Sequence, residues 1–511
     1  MEDKEAESTP RAGMPRRDFV RGMAAIPALS AALGASPAPA ASGSRFVAIQ
    51  VAANTLLDEG IDRCLDLMQE CAAINVVVVQ SHTYYASDGL HSKRSPDCLA
   101  PDHGIPVRDP ATRKLPFVWV KHHDEYFRDT VLRHPVPSPD LEYAGHDLFA
   151  ELVLPCRKRG IKIYPRMLDP FSREFAEVIP NWVKVLGVDI YGRLGPVTCY
   201  HNPDYRMWWL GTVEDVFHNY ELDGLQWGAE CVGPLSNLMF NGTVPYCFCE
   251  HCRARGKQEG IDVERARRGF EELYVFVQKL RGGARPPGGV LAGIMNHFFR
   301  YPEILAWERL WRRGKEELME EIYGAVKAVK PNAEVGQHVD HAGSTYDIFN
   351  RSVVSYPEMT NVDFIKPILY HDVLGPRMRH WYIERLQKSI FAELSPAQSL
   401  DLFYAFKGYD PKVEPKLEEL DKTGFSPEYV YRETKSLVDS VQGKTRVYSG
   451  IGMDIPWNLR HFNSDPEKVY HCVLRAFDAG ADGVMLSRQY DEMRIPNLRA
   501  AGKAIRERAP G

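Results

Sequence analysis

The sequence predicts an α/β protein, a (β/α)8 TIM barrel with long loop insertions. Short runs rich in Val and Ile recur from residue 45 onward, most are followed by a helical pattern, and eight such runs can be counted. This alternation is typical of parallel strands that are covered by helices, and eight repeats define a barrel. A doubly wound open sheet is the alternative, because periodicity does not report ring closure.

Each predicted strand is short, apolar and bounded by polar residues. The first helix is expected over Leu56–Ala73 and the last over Asp465–Ala479, where Gly480 supplies the stop. The predicted strands are Phe46–Val51, Asn75–Gln80, Lys162–Met167, Gly224–Trp227, Glu334–Gln337, Phe364–Leu369, Val447–Gly450 and Gly483–Leu486.

The length of 511 residues would allow two or three domains. Barrels with long loops also reach this size as one domain. We therefore expect a single catalytic barrel over residues 45–508, and three gaps between its strands exceed what a strand and helix unit needs. These gaps, at about 81–145, 231–330 and 371–440, are predicted to be insertions.

Residues 1–42 are expected to be a removable export signal. Arg16 and Arg17 precede Phe19 and an Ala-rich apolar run, which ends in the small-residue stretch around Ala38 and Ala40. This pattern resembles a bacterial twin-arginine signal and predicts a periplasmic or secreted protein that uses the export machinery. A disordered basic tail is the alternative. The apolar run is too short to predict a stable membrane span.

Composition excludes several classes of protein. With 44% hydrophobic and 11% aromatic residues, the chain is not a disordered protein. A formal net charge of -5 without a basic tract disfavours nucleic acid as a partner. The sequence lacks the Gly-rich phosphate loop of a nucleotide site, so no organic cofactor is expected. The composition suits a neutral carbohydrate, and a homo-oligomer is compatible with it.

Acidic residues after the strands are the candidate catalytic groups, because barrel enzymes carry their chemistry there. Glu230 follows the fourth strand beside Trp227, and this apolar setting would raise the pKa of a general acid. Glycoside hydrolysis needs a second carboxylate, for which Asp454 and then Glu492 are expected. Each of these acids has an alternative interpretation as a helix cap or as one member of an ion pair.

Aromatic, basic and histidine side chains also follow the strands. Aromatic rings stack on sugar faces, and directional polar groups bind hydroxyls. The candidate substrate contacts are His82, Arg166, Trp227, His338, Tyr370, Trp457 and Tyr490.

Three cysteines, Cys247, Cys249 and Cys252, have a C-x-C-x-x-C spacing. Thiolates at this spacing can bind one structural Zn²⁺ if a fourth ligand completes the tetrahedron. A disulfide, favoured by an oxidising compartment, and unliganded thiols are the alternatives.

Residues 190–255 resemble the β-galactosidases of glycoside hydrolase family 42 and related glycosyl-hydrolase-like barrel proteins. The run from Gly192 to Arg206, then Glu230, then Cys-Phe-Cys-Glu-His-Cys, carries the resemblance. It implies that Cys199 joins the cysteine triplet around zinc and that Glu230 is the acid/base. Ala229 replaces the family's Asn before the Glu, and Asp454 stands where related enzymes have a Glu nucleophile. The resemblance therefore implies a glycosidase with another sugar specificity.

Two other functions are compatible with the sequence. His338, Asp340 and His341, with Glu230 and Asp454, could bind a divalent cation in a sugar isomerase, epimerase or lyase. A carbohydrate-binding barrel without catalysis is the other.

Overall fold

The structure is a computed structural model. It describes residues 45–82, 96–136, 138–169, 175–176, 178–228, 230–339, 361–458 and 462–508. The predicted export signal lies outside the described residues and stays a prediction.

Eight parallel strands in the described part of the chain close into a barrel. Each strand pairs with its neighbours along the chain, and the last strand pairs with the first, with Phe46 opposite Gly483. The expected (β/α)8 barrel is therefore confirmed. The strands are β1 Phe46–Val51, β2 Val76–His82, β3 Lys162–Leu168, β4 Gly224–Gly228, β5 Glu334–Val339, β6 Phe364–Leu369, β7 Arg446–Gly452 and β8 Gly483–Ser487.

Alternate strand residues fill the lower part of the barrel with large apolar groups. The rings of Phe46 and Tyr448 stack with centroids 3.7 Å apart. A Cβ at Gly224 would lie 2.5 Å from the Tyr164 ring, and one at Gly336 would lie 2.1 Å from the Phe364 ring. Glycine at these two positions therefore makes room for aromatic side chains from neighbouring strands. Other residues of this cluster are Ala48, Val76, Val78 and Met485.

Helices surround the barrel and follow most of its strands. Shorter helical turns are Pro96–Cys98, Pro110–Thr112, Asp124–Phe127, Trp182–Val185, Leu374–Arg377, Met378–Ile383, Glu384–Leu386 and Tyr490–Glu492. The longer helices are α1 Ala53–Glu59, α2 Ile61–Ala72, α3 Leu148–Lys158, α4 Pro203–Asn219, α5 Pro234–Asn241, α6 Glu250–Gln258, α7 Val263–Arg281, α8 Val290–Arg300, α9 Glu303–Val329, α10 Pro396–Lys407, α11 Pro427–Val441, α12 Pro466–Asp478 and α13 Ile495–Arg508.

Two helix predictions were wrong. The helix expected over Leu56–Ala73 is two helices, because Gly60 between them has a φ of 89°, which breaks the helical path. The helix α12, capped by Asp465, is not the last, since α13 follows it.

An antiparallel pair, Leu186–Val188 with Leu194–Thr198, was not predicted. It lies between β3 and α4 and leads directly into Cys199. None of the described helices combines the length and the apolar character that crossing a membrane requires.

Candidate active site

A polar layer lies above the apolar layer inside the barrel. Its residues occupy the same alternating positions, two residues further along their strands, so their side chains also point inward. A Cβ at Gly450 of β7 would lie 2.1 Å from Lys366 Cε, which shows that glycine leaves room for this lysine. The described polar members of the layer, all buried, are Gln50, Gln80, Arg166, Gln226, His338, Lys366 and Ser487.

Glu230 is linked to this layer by a chain of hydrogen bonds. Gln50 Nε2 donates to Gln226 Oε1 at 3.0 Å, and Gln226 Nε2 donates to His338 Nδ1 at 3.0 Å. An accepting Nδ1 carries no proton, so neutral His338 donates from Nε2 to Glu230 Oε1 at 3.1 Å. The Glu230 side chain is 25% exposed, whereas His338 is buried. Glu230 therefore presents a positioned carboxyl group at the barrel mouth.

His338 stays neutral at ordinary pH. Burial, followed by the positive charge of Lys366, lowers the pKa of His338 to about 4, although Glu230 acts in the opposite direction. The imidazole therefore serves as a hydrogen-bond donor that orients Glu230.

Tyr370 lies among cations at the same mouth. Burial raises its pKa to about 12, while the charges of Arg166 and Arg377 oppose this shift. Lys366 Nζ donates to the Tyr370 hydroxyl at 3.4 Å, and the Arg377 guanidinium carbon lies 5.3 Å from the ring centroid. Glu230 and Arg488 also act on the Tyr370 hydroxyl. The expected contacts Arg166, His338 and Tyr370 therefore lie together with Glu230.

Trp457 lies beside this group at the edge of the mouth. It is half-buried against the cluster that contains Tyr370 and Ile455. Its ring centroid is 5.7 Å from that of Trp381, a residue that was not predicted. Arg377 lies over the same Trp381 ring at 4.7 Å. The two half-buried indoles provide aromatic surface of the kind that sugars stack on.

Asp454, expected as the partner carboxylate, supports the loop after β7. Its Oδ1 accepts from Ser464 N at 2.9 Å and Arg494 Nε at 3.1 Å. Its Oδ2 accepts from Arg494 N at 2.9 Å and Asn497 Nδ2 at 2.7 Å. Because four bonds within the protein occupy the two oxygens of a fully buried side chain, we assign Asp454 a structural role.

Glu492, the second expected partner, is buried and forms a bidentate ion pair with Arg488. Arg488 Nε lies 3.1 Å from Glu492 Oε2, and Arg488 Nη2 pairs with the other oxygen. Since Arg488 also acts on Tyr370, Glu492 is connected to the mouth through this arginine.

Two expected substrate contacts are buried in other environments. Trp227 is on the outward face of β4, fully buried, with its ring 5.9 Å from Trp209 of α4. Tyr490 is also fully buried, and its hydroxyl donates to Glu59 at 3.2 Å. These packing positions correct the expectation that Trp227 and Tyr490 contact a sugar.

His82 is redirected by an irregularity in β2. Gln80 pairs with Arg166, but His82 pairs with Met167, so one extra residue interrupts the alternation. His82 Nε2 then lies 2.8 Å from His122 Nε2 rather than beside Glu230's partner His338. Burial, together with the charge of His122, holds the pKa of His82 well below its ordinary value. We therefore correct its expected role from sugar contact to a buried position beside the mouth.

The four expected ligand cysteines form one cluster. All are buried, and their Sγ atoms lie within 4.8 Å of one another. The Cys199 Sγ is 3.3 Å from that of Cys249 and 3.5 Å from that of Cys252. A disulfide needs about 2.05 Å, and all four thiols are free, so the structure contains no Cys247–Cys252 disulfide. The cluster could hold a metal ion.

The chain around the cysteines positions them closely. Cys249 caps α6, which contains Cys252, and Cys199 precedes Asn202, the cap of α4. Gly187 in the antiparallel pair faces Cys247, since a Cβ there would lie 2.9 Å from the Cys247 Sγ.

The expected mixed metal site is only partly described. Asp340 and His341 lie outside the described residues, so a cation site that includes them stays a prediction. Within the described ranges, the four cysteines are the only group of three or more potential ligands close enough to share an ion.

Lys366 and Arg377 are two charged residues of the mouth that were not predicted. Lys366 could have been found, because it is a lone cation at an inward position of the apolar strand β6. Arg377 could not, because its position depends on the helical segment that brings it over Tyr370 and Trp381.

Comparison with solved structures returns glycosidases at low sequence identity. An α-L-fucosidase isoenzyme 2 from Paenibacillus thiaminolyticus aligns at 12% identity and TM-score 0.45, covering 91% of this chain and 49% of that one. A β-galactosidase from Halorubrum lacusprofundi aligns at 11% and 0.49, covering 90% and 58%. The catalytic domain of a β-amylase from Paenibacillus polymyxa aligns at 9% and 0.43, covering 89% and 94%.

These similarities concern the fold alone. The chain spans about half of the fucosidase and about three-fifths of the β-galactosidase. No protein-family model matches the chain, and no curated protein matches it by sequence.

Proposed function

We propose that this protein is a glycoside hydrolase in which Glu230 is the general acid/base. The observation that carries the proposal is the Glu230–His338 pair, a part-exposed carboxyl group that a buried neutral imidazole holds at the mouth of the barrel. Active sites of such barrels lie at this end. The carbohydrate class is supported by the half-buried Trp381 and Trp457, of which Trp457 packs on the cluster that contains Tyr370.

Glu230 would protonate the glycosidic oxygen as the bond to the sugar carbon breaks, and the leaving group would depart as an alcohol. The hydrogen bond from His338 Nε2 to Oε1 fixes the carboxyl group at the mouth of the barrel. The Gln50 and Gln226 amides fix the imidazole in turn.

Glu492, whose two buried oxygens both pair with Arg488, is the expected partner carboxylate that remains. Asp454 is committed to its loop by four hydrogen bonds. Glu492 instead pairs with Arg488, which acts on Tyr370 at the mouth. We assign the second carboxylate role to Glu492, which Arg488 connects to the mouth.

Hydrolysis of a panel of phenyl glycosides, whose leaving group needs a proton, by wild-type protein and by Glu230→Gln tests the proposal. We expect turnover that Glu230→Gln lowers about 100-fold or more, since a general acid supplies a factor of roughly 10²–10⁴. Glu418→Gln, at an exposed glutamate between α10 and α11, is the matched control. Chromatography of the products separates hydrolysis from isomerisation or elimination. Unchanged turnover in Glu230→Gln, with the fold retained, would refute the assignment.

We also propose that Cys199, Cys247, Cys249 and Cys252 bind one structural Zn²⁺. Tetrahedral zinc with four thiolates at about 2.3 Å places the sulfurs about 3.8 Å apart. The observed separations of 3.3 and 3.5 Å, within an overall limit of 4.8 Å, fit this requirement. Four protein ligands would leave no position for substrate, so the ion would stabilise the fold. Metal analysis of the purified protein should find about one zinc per chain.

Export by the twin-arginine route, to the periplasm or beyond, is a further proposal, supported by Arg16 and Arg17 before the apolar run. Replacement of both arginines with lysine should retain the protein in the cytoplasm of a bacterial host. Cell fractionation would show this, and unchanged export would refute it.

A further inference from the structure

Cations crowd the barrel mouth although the chain as a whole carries a net charge of -5. Arg166 and Lys366 both act on His338, and Arg166, Arg377 and Arg488 act on Tyr370. These cationic groups therefore act on the same two side chains, His338 and Tyr370, as Glu230 does.

Arg166 is the most unusual of them. It is 4% exposed on the inward face of β3, and its Nε and Nη1 have no hydrogen-bond partner among the described residues. Arg377 is also buried, and its Nε has no such partner in the same part of the chain. Buried guanidinium donors without acceptors are costly, which indicates that a ligand supplies the acceptors.

Among the described residues, the acids named at the mouth already have partners. Glu492 is paired with Arg488, and Asp454 with Arg494. Glu230 is hydrogen-bonded by His338 and has a proton to transfer in the proposed reaction. A neutral sugar would bring no negative charge to the buried Nε and Nη1 of Arg166 or to the Nε of Arg377.

We infer that the substrate is a sugar that carries an anionic group, a carboxylate or a sulfate ester, recognised by Arg166 with Arg377. This inference rests on the proposed function for its location and adds the chemical class of the substrate. A guanidinium presents parallel N–H donors that match two oxygens of such an anion. Arg377, which lies between the Tyr370 and Trp381 rings, would meet the anion where the aromatic surface meets the sugar.

Matched aryl glycosides test the inference. The pairs are glucoside with glucuronide, galactoside with galacturonide, and each neutral sugar with its 6-sulfate. We expect kcat/KM to favour the anionic member of a pair by about 10- to 100-fold, the value of a hydrogen bond between charged groups. A preference in the glucuronide or galacturonide pair would indicate carboxylate recognition, and a preference for a 6-sulfate would indicate sulfate recognition.

Arg166→Met should abolish that preference, and Arg166→Lys should retain part of it, because lysine keeps the charge but loses the paired donors. Arg268→Met, at an exposed arginine of α7, is the matched control and should leave the preference unchanged. If Arg166→Met does not fold, the inference is still tested by the preference of the wild-type protein and by its partial loss in Arg166→Lys.

Calorimetry separates failure of the inference from failure of the proposed function. Glu230→Gln is titrated with glucuronate, galacturonate, glucose 6-sulfate and glucose. Binding of an anionic sugar that Arg166→Lys weakens, without hydrolysis of any glycoside, would support the inference and refute the proposed function. Hydrolysis of neutral glycosides at equal or higher kcat/KM would overturn the inference alone. Absence of any preference for anionic sugars in both assays would also overturn it.

Discussion

Replacement of His371 with methionine tests how far the buried interior controls stability at low pH. His371 follows β6, is fully buried, and its Nδ1 and Nε2 have no hydrogen-bond partner among the described residues. Burial, followed by the charge of Lys468, lowers its pKa from 6.5 to about 3. The unfolded chain therefore binds a proton at this residue over a pH range in which the folded protein does not.

The sign and the size of the effect follow from this difference. A group with a lowered pKa in the folded state contributes its full stability above the unfolded value of 6.5, and loses it as the pH falls toward about 3. The full loss is about 5 kcal/mol, at 1.36 kcal/mol per pKa unit. Between about pH 7 and about pH 4.5, the loss is about 2.5 kcal/mol.

His371→Met removes this loss and keeps a side chain of similar volume. At about pH 7 the variant should equal or exceed the wild-type melting temperature. At about pH 4.5 its advantage over wild type should grow by about 2–3 °C. This follows from the loss of about 2.5 kcal/mol, because the entropy of unfolding is roughly 1 kcal/mol/K for a barrel of about 470 residues. Scanning calorimetry at both pH values measures the shifts.

His471→Met is the control, because half of the His471 side chain is exposed on α12. It should give a much smaller pH-dependent change. If the difference in melting temperature between His371→Met and wild type is the same at both pH values, the reasoning is refuted.

Two further predictions concern the cysteine cluster and the loop after β7. Gly187→Ala would place a Cβ 2.9 Å from the Cys247 Sγ, so it should lower zinc content and melting temperature. Gly288→Ala is the control and should change neither, because a Cβ there has nothing within 4 Å. Equal zinc content in the two variants would contradict the close contact. Asp454→Asn should cost about 3–5 kcal/mol, because a buried acceptor of four hydrogen bonds becomes partly a donor, while Asp439→Asn on exposed α11 surface should cost little. Thermal unfolding tests this, and an Asp454→Asn variant of normal stability without activity would show instead that Asp454 is catalytic.

The fold could be predicted because each strand is encoded locally. Val76 to Val79, for example, are β-branched and all buried, and the other strands are also short and mostly buried. The antiparallel pair was missed because Leu186–Val188 has only three residues, too few for a pattern. The split at Gly60 was missed because apolar spacing continues across it, although the backbone does not.

The site could be predicted only in part, because sequence position does not report which partners a side chain finds. Glu230 and Asp454 both follow strands, yet the donors that occupy Asp454 come from Ser464, Arg494 and Asn497 further along the chain. The irregularity in β2 that redirects His82 is equally invisible in its sequence. The polar layer could have been predicted from the alternation of side chains along the strands, because this alternation places its residues at inward positions.

The leaving-group dependence of Glu230→Gln tests the central claim most directly. A general acid matters most for a poor leaving group and little for one that departs without a proton. We predict that Glu230→Gln lowers kcat/KM by about 100-fold or more for a phenyl glycoside of the preferred sugar, and by less than about tenfold for its 2,4-dinitrophenyl counterpart. An equal loss for the two substrates, in a variant that retains its fold, would contradict proton donation by Glu230.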